Sequence, residues 1–234
     1  MSIDIKKLIR YRSLIIGIIV VIAVAIYVGW WAYDRWQTDR LLQHYRSIPE
    51  RITVVEQLEK DYRDLANEGR NAVRRQSILM DLGLQWYVLG EYDRAVDYWR
   101  EGLSVAPDND IGWYNLGNAY LKLKRYRDAE RAYRESMRLA GKDEVQACLA
   151  LGAMYQHDYT KKAAEEPKVY KECLLKSPDN WDLVAALGEY YKIVKDWKNA
   201  ILQYDKLYSL EPGNQQVSDE LRDLRLKLEA QEKQ

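Results

Sequence analysis

Leu82-Gly83-Leu84-Gln85-Trp86 recurs as Leu116-Gly117-Asn118-Ala119-Tyr120, as Leu151-Gly152-Ala153-Met154-Tyr155 and as Leu187-Gly188-Glu189-Tyr190-Tyr191. Each copy is a Leu-Gly pair followed three residues later by an aromatic, and the first two glycines stand 34 residues apart. Self-similarity at a period of this length marks a stacked array, in which one unit cannot bury its apolar face alone and neighbours bury it together. Arrays bind other molecules along an extended surface; they rarely carry out chemistry.

With the Leu-Gly pair at positions 7 and 8 of a 34-residue unit, position 20 is Ala95, Ala129 and, in the fourth unit, Ala200. Position 24 is Trp99, Tyr133, Tyr170 and Tyr204, and position 32 is Pro107, Gly141, Pro178 and Pro212. The pattern over 76–214 resembles the tetratricopeptide repeat family. The resemblance implies two antiparallel helices per unit, with Gly83 or Gly117 facing Ala95 or Ala129 so that the axes approach closely. The bulky residues at positions 4, 7, 11 and 24 then fill the space around that crossing. These glycines, alanines and aromatics read as core, not as a cofactor box.

The third unit departs from the period: Gly117 to Gly188 is two periods plus three residues. One extra residue falls near Gly141-Lys142-Asp143-Glu144 and two in His157-Asp158-Tyr159-Thr160-Lys161-Lys162. The insertion reads as a longer loop or as a contact loop, with the second helix restarting near Glu166-Pro167, since proline suits a first turn. Position 20 becomes Glu166. If position 8 faces 20, positions summing to about 28 lie level; Cys148 at 4 and Cys173 at 27 are then out of level. That geometry predicts free thiols.

Lys plus Arg and Asp plus Glu both number 36, so no global field draws nucleic acid or anionic lipid. No aromatic RNA-binding motif and no basic stripe is present. Residues 13–33 carry no charge, and as a helix they span about 31 Å, enough for a bilayer core of roughly 30 Å. Lys6, Lys7, Arg10 and Arg12 precede this run; Trp30, Trp31, Tyr33 and Trp36 close it as an interfacial belt. Ala23-Val24-Ala25 resembles a cleavage site but lies inside the apolar run, which favours an uncleaved anchor over a signal peptide. Arg35, Arg40 and Arg46 follow the span, so the charge bias is slight. It places the N-terminus in the cytoplasm and the repeats outside, in a periplasm-like space, with the reverse orientation open.

The expected organisation is therefore a short basic tail (1–12), a transmembrane helix (13–33) and a helical spacer with an N-terminal cap (34–75). Four repeats (76–214) and a C-terminal capping helix (215–234) follow. The spacer runs on from the anchor until Pro49, which opens a second helix carrying Ile52, Val55, Leu58, Tyr62 and Leu65 on one face. That helix is a cap, or alternatively a self-ligand lying in the groove. Val217, Leu221, Leu224 and Leu228 form the stripe of the last helix, whose start is expected at Ser218-Asp219-Glu220.

The only histidines, His44 and His157, fall in different segments, and no HExxH, CxxC, phosphate loop or GxSxG occurs. This inventory predicts no enzyme activity, no metal and no cofactor. In the family the first helix of each unit lines a groove through positions 2, 5, 9, 12 and 13. The resemblance places Ser77, Met80, Leu84, Tyr87 and Val88 there in the first unit, and Ile111, Tyr114, Asn118, Leu121 and Lys122 in the second. The third unit gives Gln146, Leu149, Ala153, Gln156 and His157; the fourth gives Asp182, Ala185, Glu189, Lys192 and Ile193. The near half is apolar and aromatic and the far half polar, a surface for an amphipathic helix or extended segment. Members that hold acidic chaperone tails use a clamp of Lys, Asn and Arg; Met80, Leu84, Gln146 and Ala150 stand at those positions and only Asn115 fits, so that partner is excluded.

The sequence thus predicts an all-α protein: one transmembrane helix followed by an α-solenoid of four hairpins with capping helices. Its expected role is a membrane-anchored scaffold that assembles or stabilises a membrane or envelope protein complex. The alternative is a permanent structural subunit whose anchor packs on other subunits.

Overall fold

The structure, a computed structural model, describes residues 24–29, 31–33, 35–36, 49–68, 71–142 and 144–233. It divides into two compact units, residues 1–57 and 58–234. In the first, residues 24–29, 31–33 and 35–36 are helical and exposed. Among the described residues no helix is long and apolar enough to cross a membrane. Of the expected span, 13–23 and Trp30 lie outside the described residues, as does most of the expected spacer over 34–48. Helix α1 (Pro49–Glu68) carries the boundary between the units.

The second unit is an α-solenoid. Its hairpins are α2 (Ala72–Val88) with α3 (Tyr92–Val105), α4 (Asp110–Lys122) with α5 (Tyr126–Leu139), α6 (Gln146–His157) with α7 (Glu166–Leu174), and α8 (Trp181–Ile193) with α9 (Trp197–Leu210). A last helix, α10 (Gln215–Glu232), packs on α9. Side-chain oxygens of Asn109, Asn180 and Asn214 accept from the backbone N–H three residues on, at 2.7, 3.1 and 3.3 Å, and so cap α4, α8 and α10. The cap at Asn214 starts α10 ahead of Ser218-Asp219-Glu220, correcting the expected start.

Three of the four hairpin turns are built alike. The carbonyls of Trp86, Tyr120 and Tyr191 accept from the N–H five residues on, and the residue between is left-handed: Gly90 (φ 85°), Lys124 (57°) and Lys195 (59°). In the third hairpin that position is Tyr159, at φ −112°. The chain there continues into a 3₁₀ helix over Thr160–Glu165 before α7 begins with Pro167 in its first turn. The insertion is not a free loop. Tyr159 stacks on Tyr126 of α5 at 5.4 Å, and Lys162 Nζ donates to both oxygens of Glu130 at 2.7 and 2.6 Å.

The core shows what excludes a side chain at position 8. A Cβ built on Gly83 would meet the Trp99 ring at 2.4 Å; on Gly117, the Tyr133 ring at 2.6 Å; on Gly152, Tyr170 at 2.3 Å; on Gly188, Tyr204 at 3.0 Å. A side chain at position 8 would therefore run first into the aromatic at 24. Levelled this way, opposed positions sum to 32, and Cys148 and Cys173, at 4 and 27, sum to 31. They are joined by a disulfide with Cα atoms 6.4 Å apart, not free thiols as the earlier register predicted.

The same register places Arg222 of α10 at the glycine position of a would-be fifth unit, directly after Leu221. At the other end, Tyr62 Oη of α1 donates to Glu101 of α3 at 2.5 Å and Tyr98 Oη to Glu59 at 3.4 Å.

Glu166 is the one carboxylate among the buried described residues, 2% exposed. It replaces the alanine of position 20. Burial pushes its pKa up to about 7, against a hydrogen bond from Tyr170 that works the other way. A carboxyl whose folded pKa lies above its unfolded value near 4.5 favours folding most below pH 4.5, and that contribution disappears as pH rises through 7. Glu166→Gln should therefore stabilise the protein at pH 8 by roughly 2–3 kcal/mol and give no gain at pH 4. Paired melting curves across that range check this; a gain independent of pH would show that the carboxyl is not held neutral.

Candidate functional site

The first helices α2, α4, α6 and α8 touch in succession, so residues on their shared face form one continuous row. None of the groove residues expected from the sequence is fully buried. Ser77, Leu84, Val88, Ile111, Lys122, Gln146, Ala153, His157, Asp182, Glu189 and Ile193 are exposed. Met80, Tyr87, Tyr114, Asn118, Leu121, Leu149, Gln156, Ala185 and Lys192 are half-buried. Leu84, Val88 and Ile111 are 44, 48 and 63% exposed, large aliphatic surface that the packing of their own hairpins does not use.

The row has a floor that sequence reasoning missed. Because glycine occupies position 8, the aromatic at 24 comes through from the second helix to the groove side of the first. Tyr133 Oη donates to Oδ1 of Asn118 at 2.7 Å, Tyr204 Oη donates to Glu189, and Trp99 Nε1 donates to the Met80 carbonyl at 3.1 Å. Tyr87 rests on Trp99 and Tyr92 with centroids 5.7 and 5.3 Å apart, and Tyr114 on Tyr133 at 6.1 Å. Burial, then the neighbouring Tyr92 and Tyr114 hydroxyls, raise the Tyr87 pKa; burial raises that of Tyr133 further. These phenols stay neutral, and the near half of the row is an uncharged aromatic bed. Tyr87 and Tyr114 thus serve packing as well as the surface, where the family pattern alone leaves them free. The signal for this was present: the glycine spacing marks where a second-helix ring passes through.

At the far end the row is ionic. Lys192 Nζ donates to Glu189 and to Glu220 of α10, both at 2.9 Å, and to Tyr204 Oη at 3.3 Å. Burial works against the Lys192 charge, but these three partners outweigh it and hold the pKa above its ordinary value. Burial also opposes ionisation of Glu189, and hydrogen bonds from Tyr204 and Lys192 reverse that, keeping the carboxyl below its usual range. Glu220 had no signal in the first-helix pattern, since it belongs to the terminal helix. Among the described residues no group of three or more His, Cys, Asp or Glu side chains could hold a metal ion.

Fold and surface together define an α-solenoid of the tetratricopeptide type. Residues 111–143 match the family model for the tetratricopeptide repeat. Among curated proteins, RNA polymerase II-associated protein 3 of Mus musculus is 21% identical over 204 residues, 86% of this chain and 25% of that protein. Its Homo sapiens counterpart is 22% identical over 189 residues, 76% of this chain and 23% of that protein. The chain spans about a quarter of the length of these relatives. A crystal structure of MamA superposes with a TM-score of 0.56 at 16% identity, covering 73% of this chain and 94% of that one. A second MamA structure gives 0.50 at 20% identity over 68% and 85%. At these identities the likeness to MamA is one of fold.

Proposed function

We propose that this chain is a membrane-anchored scaffold whose repeat groove binds protein segments, and that it assembles or stabilises a membrane or envelope complex. The observation that carries the binding role is the exposed aliphatic row Leu84, Val88 and Ile111 above a bed of neutral aromatic rings. Aromatic and aliphatic anchors that lose water on contact supply most of the energy of such interfaces. The chain binds its partner without transforming it, in keeping with a sequence that holds no HExxH, CxxC, phosphate loop or GxSxG. The anchor rests on the uncharged run at 13–33 with its basic leader and aromatic belt. The Cys148–Cys173 disulfide supports the extracytoplasmic side for the repeats, because such bonds persist in oxidising compartments.

Two measurements test this. Leu84→Ser, Val88→Ser and Ile111→Ser combined should abolish co-purification of the partner complex while leaving the melting temperature within a few degrees, since surface changes cost little, about ±0.5 kcal/mol each. Retention of the complex by the triple variant would place binding on another face. Protease added to intact spheroplasts of an expressing bacterium should digest the repeats and spare residues 1–12; full protection of the repeats would reverse the orientation.

A further inference from the structure

The two ends of the groove differ in charge, and the difference has a direction. Over α2 and α4 the charged residues at groove positions are Lys122 and, at the position that Asn115 and Ala150 hold in the next units, Asp81; both are exposed, so this half carries no net charge. At the α8 end three carboxylates, Asp182, Glu189 and Glu220, stand against the single ammonium of Lys192. Asp182 and Glu189 are seven residues apart on α8, two turns along one face. The carboxylates also lie outermost: the Glu189 and Glu220 side chains are 52 and 36% exposed, and that of Lys192, behind them, is 21% exposed. Lys192 is thus spent on holding the pair in place, and the face it leaves to solvent is acidic.

We infer that the groove takes a segment whose aliphatic or aromatic residues sit on α2 and α4 and whose Lys or Arg residues reach the Asp182, Glu189 and Glu220 carboxylates at the α8 end. This rests on the groove reading above and adds to it a class of partner and a polarity. Two facts set the polarity together. The α2 and α4 half has no net charge to hold a cation over the aromatic bed, and the carboxylates offer charge-assisted acceptors at the α8 end. Two helix-to-helix steps of roughly 10 Å separate α4 from α8 and three separate α2 from it, so the anchors lie about 20–30 Å from the acidic end. An extended segment covers that distance in about six to nine residues and a helix in about thirteen to twenty.

The test is selection from a random peptide display library on the full chain in detergent, followed by affinity measurements on the recovered peptides. The expected consensus is a pair of Trp, Tyr or Leu residues separated from Lys or Arg by about six to nine positions in an extended peptide or about thirteen to twenty in a helical one. Replacing those cations by Gln in the peptide should weaken binding about tenfold, which requires no change in the protein. Asp182→Asn, and Glu189→Gln with it, should weaken the same peptides to a similar degree, and binding should fall as salt rises. If the peptides are lost on the Leu84, Val88 and Ile111 triple variant but carry no basic residues and ignore Asp182→Asn, the polarity is overturned and the groove stands. If they bind the triple variant unchanged, or if the library yields no binder, the groove reading itself falls.

Discussion

Gly117→Leu lowers the stability of the repeat domain by about 3 kcal/mol or more. The reason lies in the Tyr133 ring, which is fully buried and approaches so closely that even a methyl group on residue 117 would lie 2.6 Å from it. That ring cannot swing aside without giving up the 2.7 Å hydrogen bond from its hydroxyl to Asn118. Alanine scanning of the four glycines supplies the control. An Ala side chain gains about 1 kcal/mol of helix propensity over Gly wherever it fits. At Gly188, where the nearest atom is 3.0 Å away, that gain nearly offsets the crowding, so Gly188→Ala should be close to neutral. At Gly83, Gly117 and Gly152, with 2.4, 2.6 and 2.3 Å, crowding wins and each should destabilise clearly. Melting curves of the four variants decide it. Equal effects at all four would mean that ring packing is not what excludes a side chain.

Removing the Cys148–Cys173 disulfide is expected to cost about 3.5 kcal/mol, the chain-entropy value for a loop of this length. The bond joins α6 to α7 across a separation of 25 residues. It staples the hairpin whose turn is interrupted by the Thr160–Glu165 insertion and whose position 20 is the buried Glu166. This is the unit where helix-on-helix packing departs most from its neighbours. The double variant Cys148→Ser, Cys173→Ser and wild type in dithiothreitol should melt alike, several degrees below the oxidised protein. Wild type that melts identically with and without reductant would show that packing alone holds the third hairpin.

Both results follow from one feature that was only half legible beforehand. The Leu-Gly-x-x-aromatic spacing located the four hairpins and the third-unit insertion, because the period of an array is written in whichever residues must be small or bulky at each crossing. The opposing partner of each glycine was not legible. Alanine at position 20 is small and suggested a close crossing there; Ala95, Ala129 and Ala200 are buried, but the atoms nearest a side chain at position 8 belong to the rings at position 24. The crossing register depends on which ring fits the gap, a property of two helices together and not of either sequence. Free cysteines were expected from the wrong register, and the disulfide follows from the right one.

The candidate site divides the same way. Groove positions could be counted from the repeat frame, and each expected residue lies on the accessible face of a first helix or at its edge. The floor of the groove could not be counted, because Trp99, Tyr133 and Tyr204 arrive from second helices through the glycine gaps. Nor could the part played by Glu220, which comes from α10.

What the sequence by itself determined is therefore the all-α class of the repeat region, its hairpins, their turn positions and the apolar-to-polar gradient along the first helices. All of these are set within about one period of chain, by periodicity and by the size of the side chains. Only the tertiary structure decided that aromatics fill the glycine gaps, that Cys148 meets Cys173, and that Glu166 is shut away from water. Each of these depends on how residues far apart in the chain meet across a crossing, and the angle and register of a crossing are fixed by the packing of both faces at once.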